Sequence, residues 1–196
     1  MMMNENGRDY QASFITREEG DKKYIEGYFV RFDDKYELWG DCYETIAPNA
    51  FDETLNKDIV SLWNHDSNYP LGRTTNGTLT LRVDNSGLFG KVEINENDSF
   101  AKDAYERIKR GDVKQCSFGF RILSEEYIQH DNGETEYRIT KVDLWEVSPV
   151  TFPAYKSTTI SARKEDLKAR ESQHLETMKN KSKERIDNIV KGFETE

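Results

Sequence analysis

Where the helix breakers fall constrains this chain more than any other feature of it. All four prolines (Pro48, Pro70, Pro149, Pro153) and eleven of the twelve glycines precede residue 163, and beyond that point only Gly192 remains. A stretch dense in breakers favours strands and turns, whereas a breaker-free stretch rich in Lys, Glu and Arg favours helix. Charge divides at the same place. Residues 163–196 carry nine basic and eight acidic side chains, while residues 1–162 carry 19 and 29, a net of −10. The expected organisation is therefore a flexible N-terminal segment over 1–19, a folded domain over 20–162, and a charged helical tail over 163–196. The tail's apolar positions are sparse: Leu167, Leu175 and Met178, then Ile186, Ile189, Val190 and Phe193. The last four follow i, i+3, i+4, i+7, either a narrow docking stripe or one side of a solvated helix.

Composition excludes several classes. Hydrophobic residues make up only 35% of the chain against 33% charged, with a mean hydropathy of −0.88, as expected if the tail stays outside the core. A net charge of −9 lacks the footprint of a general nucleic-acid binder. No apolar run approaches membrane-spanning length, and Met1 to Tyr10 is polar, so neither a membrane span nor a secretory leader is expected. Cys42 and Cys116 are 74 residues apart, and with three histidines they form no spacing of a zinc site. Two small buried thiols in a reducing compartment are expected, with no metal or cofactor.

Within residues 1–162 the pattern reads as mainly β with attached helices. Strands are predicted at Tyr24–Phe32, Asp58–His65, Thr78–Asp84, Leu88–Ile94, Val113–Leu123 and Glu136–Val147. Asn85-Ser86-Gly87 marks a hairpin between the third and fourth, and Asp131-Asn132-Gly133 a turn before the last. Pro48–Leu55 reads as a short helix. Asp98–Arg110 reads as a longer one, capped by Asp98 or Ser99, with Ala101, Ala104, Tyr105 and Ile108 on one face and Gly111 as its stop.

Strand alternation then shows which polar groups share faces with apolar ones. In Lys141–Ser148, Glu146 and Ser148 alternate with Val142 and Leu144 onto one face. A carboxylate there needs a partner, unless the strand end already reaches water. In Asp58–His65, His65 closes the face of Ile59, Ser61 and Trp63, as a structural residue or as one fixed beside a cleft. In Val113–Phe120, Cys116, Phe118 and Phe120 point one way. Ser117 points the other beside Gly119, as a small surface pair or as an accessible hydroxyl. Ser117, His65 and Glu146 could supply nucleophile, base and orienting acid, since a serine hydroxyl attacks only once a base takes its proton.

At these same residues the sequence resembles the prohead (procapsid maturation) proteases of tailed bacteriophages, the HK97-type family. The matching pieces are Gly27-Tyr28-Phe29, Ile46-Ala47-Pro48-Asn49-Ala50-Phe51, Trp63-Asn64-His65-Asp66, Leu71-Gly72-Arg73-Thr74 and Gly87-Leu88-Phe89. They continue with Ser117-Phe118-Gly119-Phe120, Trp145-Glu146-Val147-Ser148-Pro149-Val150 and Pro153-Ala154-Tyr155. No single piece is specific, but their order and spacing across about residues 20–162 are.

The resemblance implies an α+β fold with a β-barrel like that of the herpesvirus assemblins, and a serine endopeptidase activity. It puts the nucleophile at Ser117, the base at His65 and the acid at Glu146. Asp143 is the runner-up acid, and the spare histidines His130 and His174 stand apart; Asp66 lies too near His65 to orient its ring. Gly72-Arg73 could supply oxyanion donors or be an ordinary tight turn. The implied substrates are the scaffolding segment of the major capsid protein and the chain itself, inside the assembling procapsid in the host cytoplasm. The assemblin analogy adds a homo-oligomer. The tail is either a retention segment that self-cleavage removes after it has served in the shell, or a bland linker and helix. A catalytically idle scaffold or capsid assembly factor with the same fold is the alternative. An esterase fits less well, because no G-x-S-x-G elbow surrounds Ser117.

Overall fold

The computed structural model describes residues 14–32 and 34–152, together with Ser172, Glu176, Lys179 and Lys183, each of these four helical and exposed. The remainder of the expected tail helix, its apolar stripe and His174 included, lies outside the described residues. The chain divides into two units, Met1–Ala154 and Tyr155–Glu196, and the strands of the described residues all belong to the first.

Among the described residues ten strands form two sheets. The first has the order β1-β2-β8-β7, from β1 (Ile15–Glu19), β2 (Lys22–Arg31), β7 (Leu79–Asp84) and β8 (Gly87–Glu93), all antiparallel. Its turns follow local chemistry. Gly20, at a φ of 63°, begins the two-residue turn into β2, and the predicted hairpin closes through Asn85 and Ser86 with Asp84 opposite Gly87. Ile15–Glu19, placed by the sequence in a flexible N terminus, is thus a paired edge strand.

The second sheet is built on β10 (Thr135–Val150). One edge of β10 pairs antiparallel with β9 (Gln115–Gln129) along nearly its whole length. The other edge is shared. Residues 135–139 pair parallel with β4 (Cys42–Ile46), and Glu146 and Val147 pair parallel with β5 (Val60–Trp63). Outside these lie β3 (Tyr36–Trp39) and β6 (Asp66–Arg73). Between β4 and β5 the edge is filled by Thr54, whose Oγ1 accepts the Leu144 N–H at 2.8 Å and lies 3.4 Å from the Leu144 carbonyl.

The closed barrel implied by the resemblance is not formed among the described residues. No ladder joins β9 to β2. The Cys116 thiol approaches β2 instead, with Sγ 3.3 and 3.2 Å from the carbonyl oxygens of Tyr28 and Phe29. A single core nevertheless draws on both sheets, with Ile25, Phe29, Leu88 and Val92 from one and Ile139, Val142, Leu144 and Val147 from the other. Each such side chain contributes roughly 1.5–3 kcal/mol by leaving water.

Helix α1 (Ser99–Arg110) has the expected signals. Asp98 accepts the Phe100 N–H at 2.9 Å, Gly111 ends the helix at a φ of 85°, and Ala101, Ala104, Tyr105 and Ile108 are buried. Arg107, Lys109 and Arg110 sit in its last turn, where the helix dipole favours cations. The predicted helix at Pro48–Leu55 is shorter, a 3-10 turn over Pro48–Phe51 followed by turns.

Candidate active site

A bulge in β10 builds the site. Leu144 stands opposite Phe120 and Glu146 opposite Gly119, so two steps along β10 match one step along β9. The extra residue reverses the alternation. Before the bulge Val142 and Leu144 face the core; after it Val147 does, opposite Phe118. Glu146 and Ser148 therefore turn away from the face of Leu144, which corrects the simple alternation that grouped all four. They now share the face of Gly119 and Ser117, with Ser148 directly opposite Ser117. On β9 the simple alternation applies as expected: Cys116 is buried, while Ser117 is half-buried on the other face.

His65 arrives from the opposite edge of β10. Strand β5 ends at Trp63, two residues before the predicted end, and Asn64 and His65 form the whole turn into β6. Both have left-handed backbones, with φ of 51° and 61°. This conformation matches the twist of a two-residue hairpin, but costs of order 1 kcal/mol in a residue with a Cβ. Three hydrogen bonds to the end of β10 offset that cost. Asn64 N donates to the Pro149 carbonyl (3.1 Å), the Thr151 N–H to Asn64 Oδ1 (2.9 Å) and His65 N to Ser148 Oγ (3.3 Å).

The side chains then meet. His65 Nδ1 lies 2.6 Å from Glu146 Oε1, and the Ser148 hydroxyl donates to Glu146 Oε2 at 2.6 Å. Glu146 is only 5% exposed, so both carboxylate oxygens have found the partners that burial demands. A carboxylate can only accept, so Nδ1 is the donor of this contact, and a neutral imidazole so arranged keeps its lone pair on Nε2. Among the described residues Nε2 has no hydrogen-bond partner. Gly119 makes the arrangement possible: a Cβ there would lie 2.6 Å from Glu146 Oε1 and press on Trp145 Nε1. Trp145, the bulge residue, is itself half-exposed beside the carboxylate.

The other candidates fall elsewhere. Asp143 receives Lys57 Nζ at 2.6 Å and Arg121 Nη2 at 3.2 Å, and the Lys57 hydrogen bond is the main cause that holds its carboxyl below the usual range. It has no contact with His65. Asp66 binds the Asn68 backbone and side chain. His130 Nε2 lies 2.9 Å from Glu136 Oε2 and 3.0 Å from the Tyr43 hydroxyl, and Glu136 is ten residues and about 30 Å of strand from Glu146. Gly72-Arg73 is no tight turn. Both residues lie in β6, a Cβ on Gly72 would meet the Thr78 carbonyl at 3.0 Å, and Arg73 makes a two-pronged pair with Asp58. Sequence reasoning missed the contact of Ser148, although a hydroxyl two residues beyond a buried acid was a readable signal.

A serine, an imidazole and a carboxylate carried to one end of a β-sheet are the residue types of a serine hydrolase. The chain belongs to the caudovirus prohead serine protease family, whose model matches residues 12–173. The resemblance read from the motifs is thereby borne out. Among individual proteins the chain is 32% identical over 116 residues to the prohead protease of Escherichia phage T5, covering 59% of this chain and 50% of that protein. It is 27% identical over 150 residues to the prohead protease of Enterobacteria phage HK97, covering 74% and 62%. The matched region thus spans about half of the first relative and 62% of the second. No solved structure matches the chain.

Proposed function

We propose that this chain is a serine endopeptidase of prohead maturation, with Ser117 as nucleophile, His65 as general base and Glu146 as the acid that orients it. The observation that carries the reading is the 2.6 Å contact between His65 Nδ1 and Glu146 Oε1, made where Ser117 shares the face of Glu146. With its proton on Nδ1, the imidazole takes the Ser117 proton through Nε2 as the hydroxyl attacks a peptide carbonyl. The same nitrogen then returns that proton to the leaving amine, and water repeats the cycle on the acyl-enzyme. Glu146 fixes the tautomer and stabilises the imidazolium while it exists. Two serines lie on this face, and their surroundings separate them. Ser148 is fully buried with its hydroxyl directed at Glu146, whereas Ser117 is only half-buried.

Family membership supports a place in the assembling procapsid, with the capsid protein's scaffolding segment and the chain itself as substrates. The charged tail fits a retention segment lost on self-cleavage. Fluorophosphonate labelling followed by peptide mapping tests the active-site reading. The label is expected on Ser117 of the parent, absent from Ser117→Ala and His65→Ala, and slowed by about tenfold or more in Glu146→Gln. Labelling of His65→Ala at the parental rate would overturn it.

A further inference from the structure

We propose that Ser148 is a positioning residue that holds the acid and the base of this site in register with each other. The proposal rests on the Ser117–His65–Glu146 reading and deepens it. Ser148 is fully buried, at 0% exposure, and its single hydroxyl serves two members of the site. It donates to Glu146 Oε2 at 2.6 Å and accepts the His65 backbone N–H at 3.3 Å. A serine hydroxyl has one proton to give and lone pairs to receive, so both bonds form at once.

The two bonds act on different degrees of freedom. The bond to Oε2 fixes the rotation of the Glu146 carboxylate, and with it the direction in which Oε1 presents itself to Nδ1. The bond from His65 N ties down the left-handed turn that carries the ring. Both bonds meet at Ser148 Oγ, two residues beyond Glu146 on β10, so the His65 turn and the carboxylate are referred to one rigid strand. Ser148 also stands directly opposite Ser117 in the β9–β10 ladder, on the face that both share with Glu146. A serine that only filled space or satisfied one backbone group would touch a single partner, whereas this one touches the acid's side chain and the base's main chain. Its burial, at 0% exposure, keeps a substrate carbonyl from reaching it and so separates it from the nucleophile's role.

Two readouts test the proposal on the full-length chain. In a Ser117→Ala background, which cannot process itself, the His65 Nδ1 proton shared with Glu146 is expected as a far-downfield NMR resonance, assigned by its loss in His65→Ala. Adding Ser148→Ala should shift that resonance or broaden it away. In the parent background, Ser148→Ala should slow fluorophosphonate labelling of Ser117 by about 10- to 100-fold, the loss expected when reacting groups are slightly misplaced. Thermal unfolding monitors whether the variant is folded. If it is not, Ser148→Cys, which fills the space but bonds weakly, takes the same two readouts. An unmoved resonance, or labelling within twofold of the parent, overturns the proposal. Failure of the parent itself to label would strike the triad reading instead, and the resonance, which needs no catalysis, would still decide the place of Ser148.

Discussion

At Gly119 the site has no room for a methyl group. The bulge sets both Trp145 and Glu146 against this one residue, and a Cβ would lie 2.6 Å from Glu146 Oε1. Gly119→Ala is therefore expected to push the carboxylate off the His65 ring, lowering fluorophosphonate labelling by about tenfold or more while the circular dichroism spectrum stays parental. Parental labelling would show that the strand absorbs the methyl group. Cys116, earlier on the same strand and on its opposite face, makes the contrasting case. Burial pushes its thiol up to about 12, with the Asp34 charge adding to the effect, and Sγ lies against the Tyr28 and Phe29 carbonyls. It should resist Ellman's reagent at pH 8 in the native chain and react only once unfolded, since the thiolate is the reactive form. Rapid native reaction at Cys116, located by peptide mapping, would contradict this packing.

Among the elements, β10 carries the most. Its edge passes from β4 to β5 with a gap at Leu144, and Thr54 closes that gap by accepting the Leu144 N–H at 2.8 Å. Thr54→Val keeps the shape and removes the acceptor, so it should destabilise the fold by about 1–3 kcal/mol, the cost of a buried unsatisfied amide. A denaturant midpoint equal to the parent's would show that water or another group replaces it. The turn into β6 and the bulge in β10 also mark the limit of what the sequence discloses. The strands of β2, β7, β8, β9 and β10 were legible because long alternating runs ended in turn residues, and α1 because cap, face and stop agreed. Short strands such as β3 and β4 carry too few alternations to stand out, and β6 contains Pro70 and Gly72, which read as a loop. The motifs brought forward Ser117, His65 and Glu146, but their common face was hidden. A bulge adds a residue without any compositional mark, and period-two reasoning reverses beyond it.

Across the whole molecule, acid should act through carboxylates that the fold holds in charged form. Burial alone would raise the Glu136 carboxyl, but hydrogen bonds from Thr45, Arg138 and His130 outweigh it and hold the group below its usual range. Asp143 is lowered by Lys57, Asp84 by the Ser86 amide, and Asp58 by Arg73. A carboxyl whose folded pKa is depressed gives stability that is fully present above its unfolded value and is lost as pH falls through the folded one. The melting temperature should thus change little from pH 7 to about 5, then fall below about pH 4.5, and Glu136→Gln should flatten that fall. An equally steep fall in Glu136→Gln would remove Glu136 from the explanation. Residues 1–162 carry a net −10 and residues 163–196 a net +1, so fragments cut near that point would differ in charge as well as in mass. Peptide-bond cleavage by Ser117 is tested by the intact mass of the full-length chain, followed over time with the phage's own capsid protein present. The parent should shed fragments of itself and of the capsid protein while Ser117→Ala leaves both whole. Identical fragments from parent and Ser117→Ala, or no fragments from either, would contradict the assignment of Ser117 as the nucleophile of an endopeptidase.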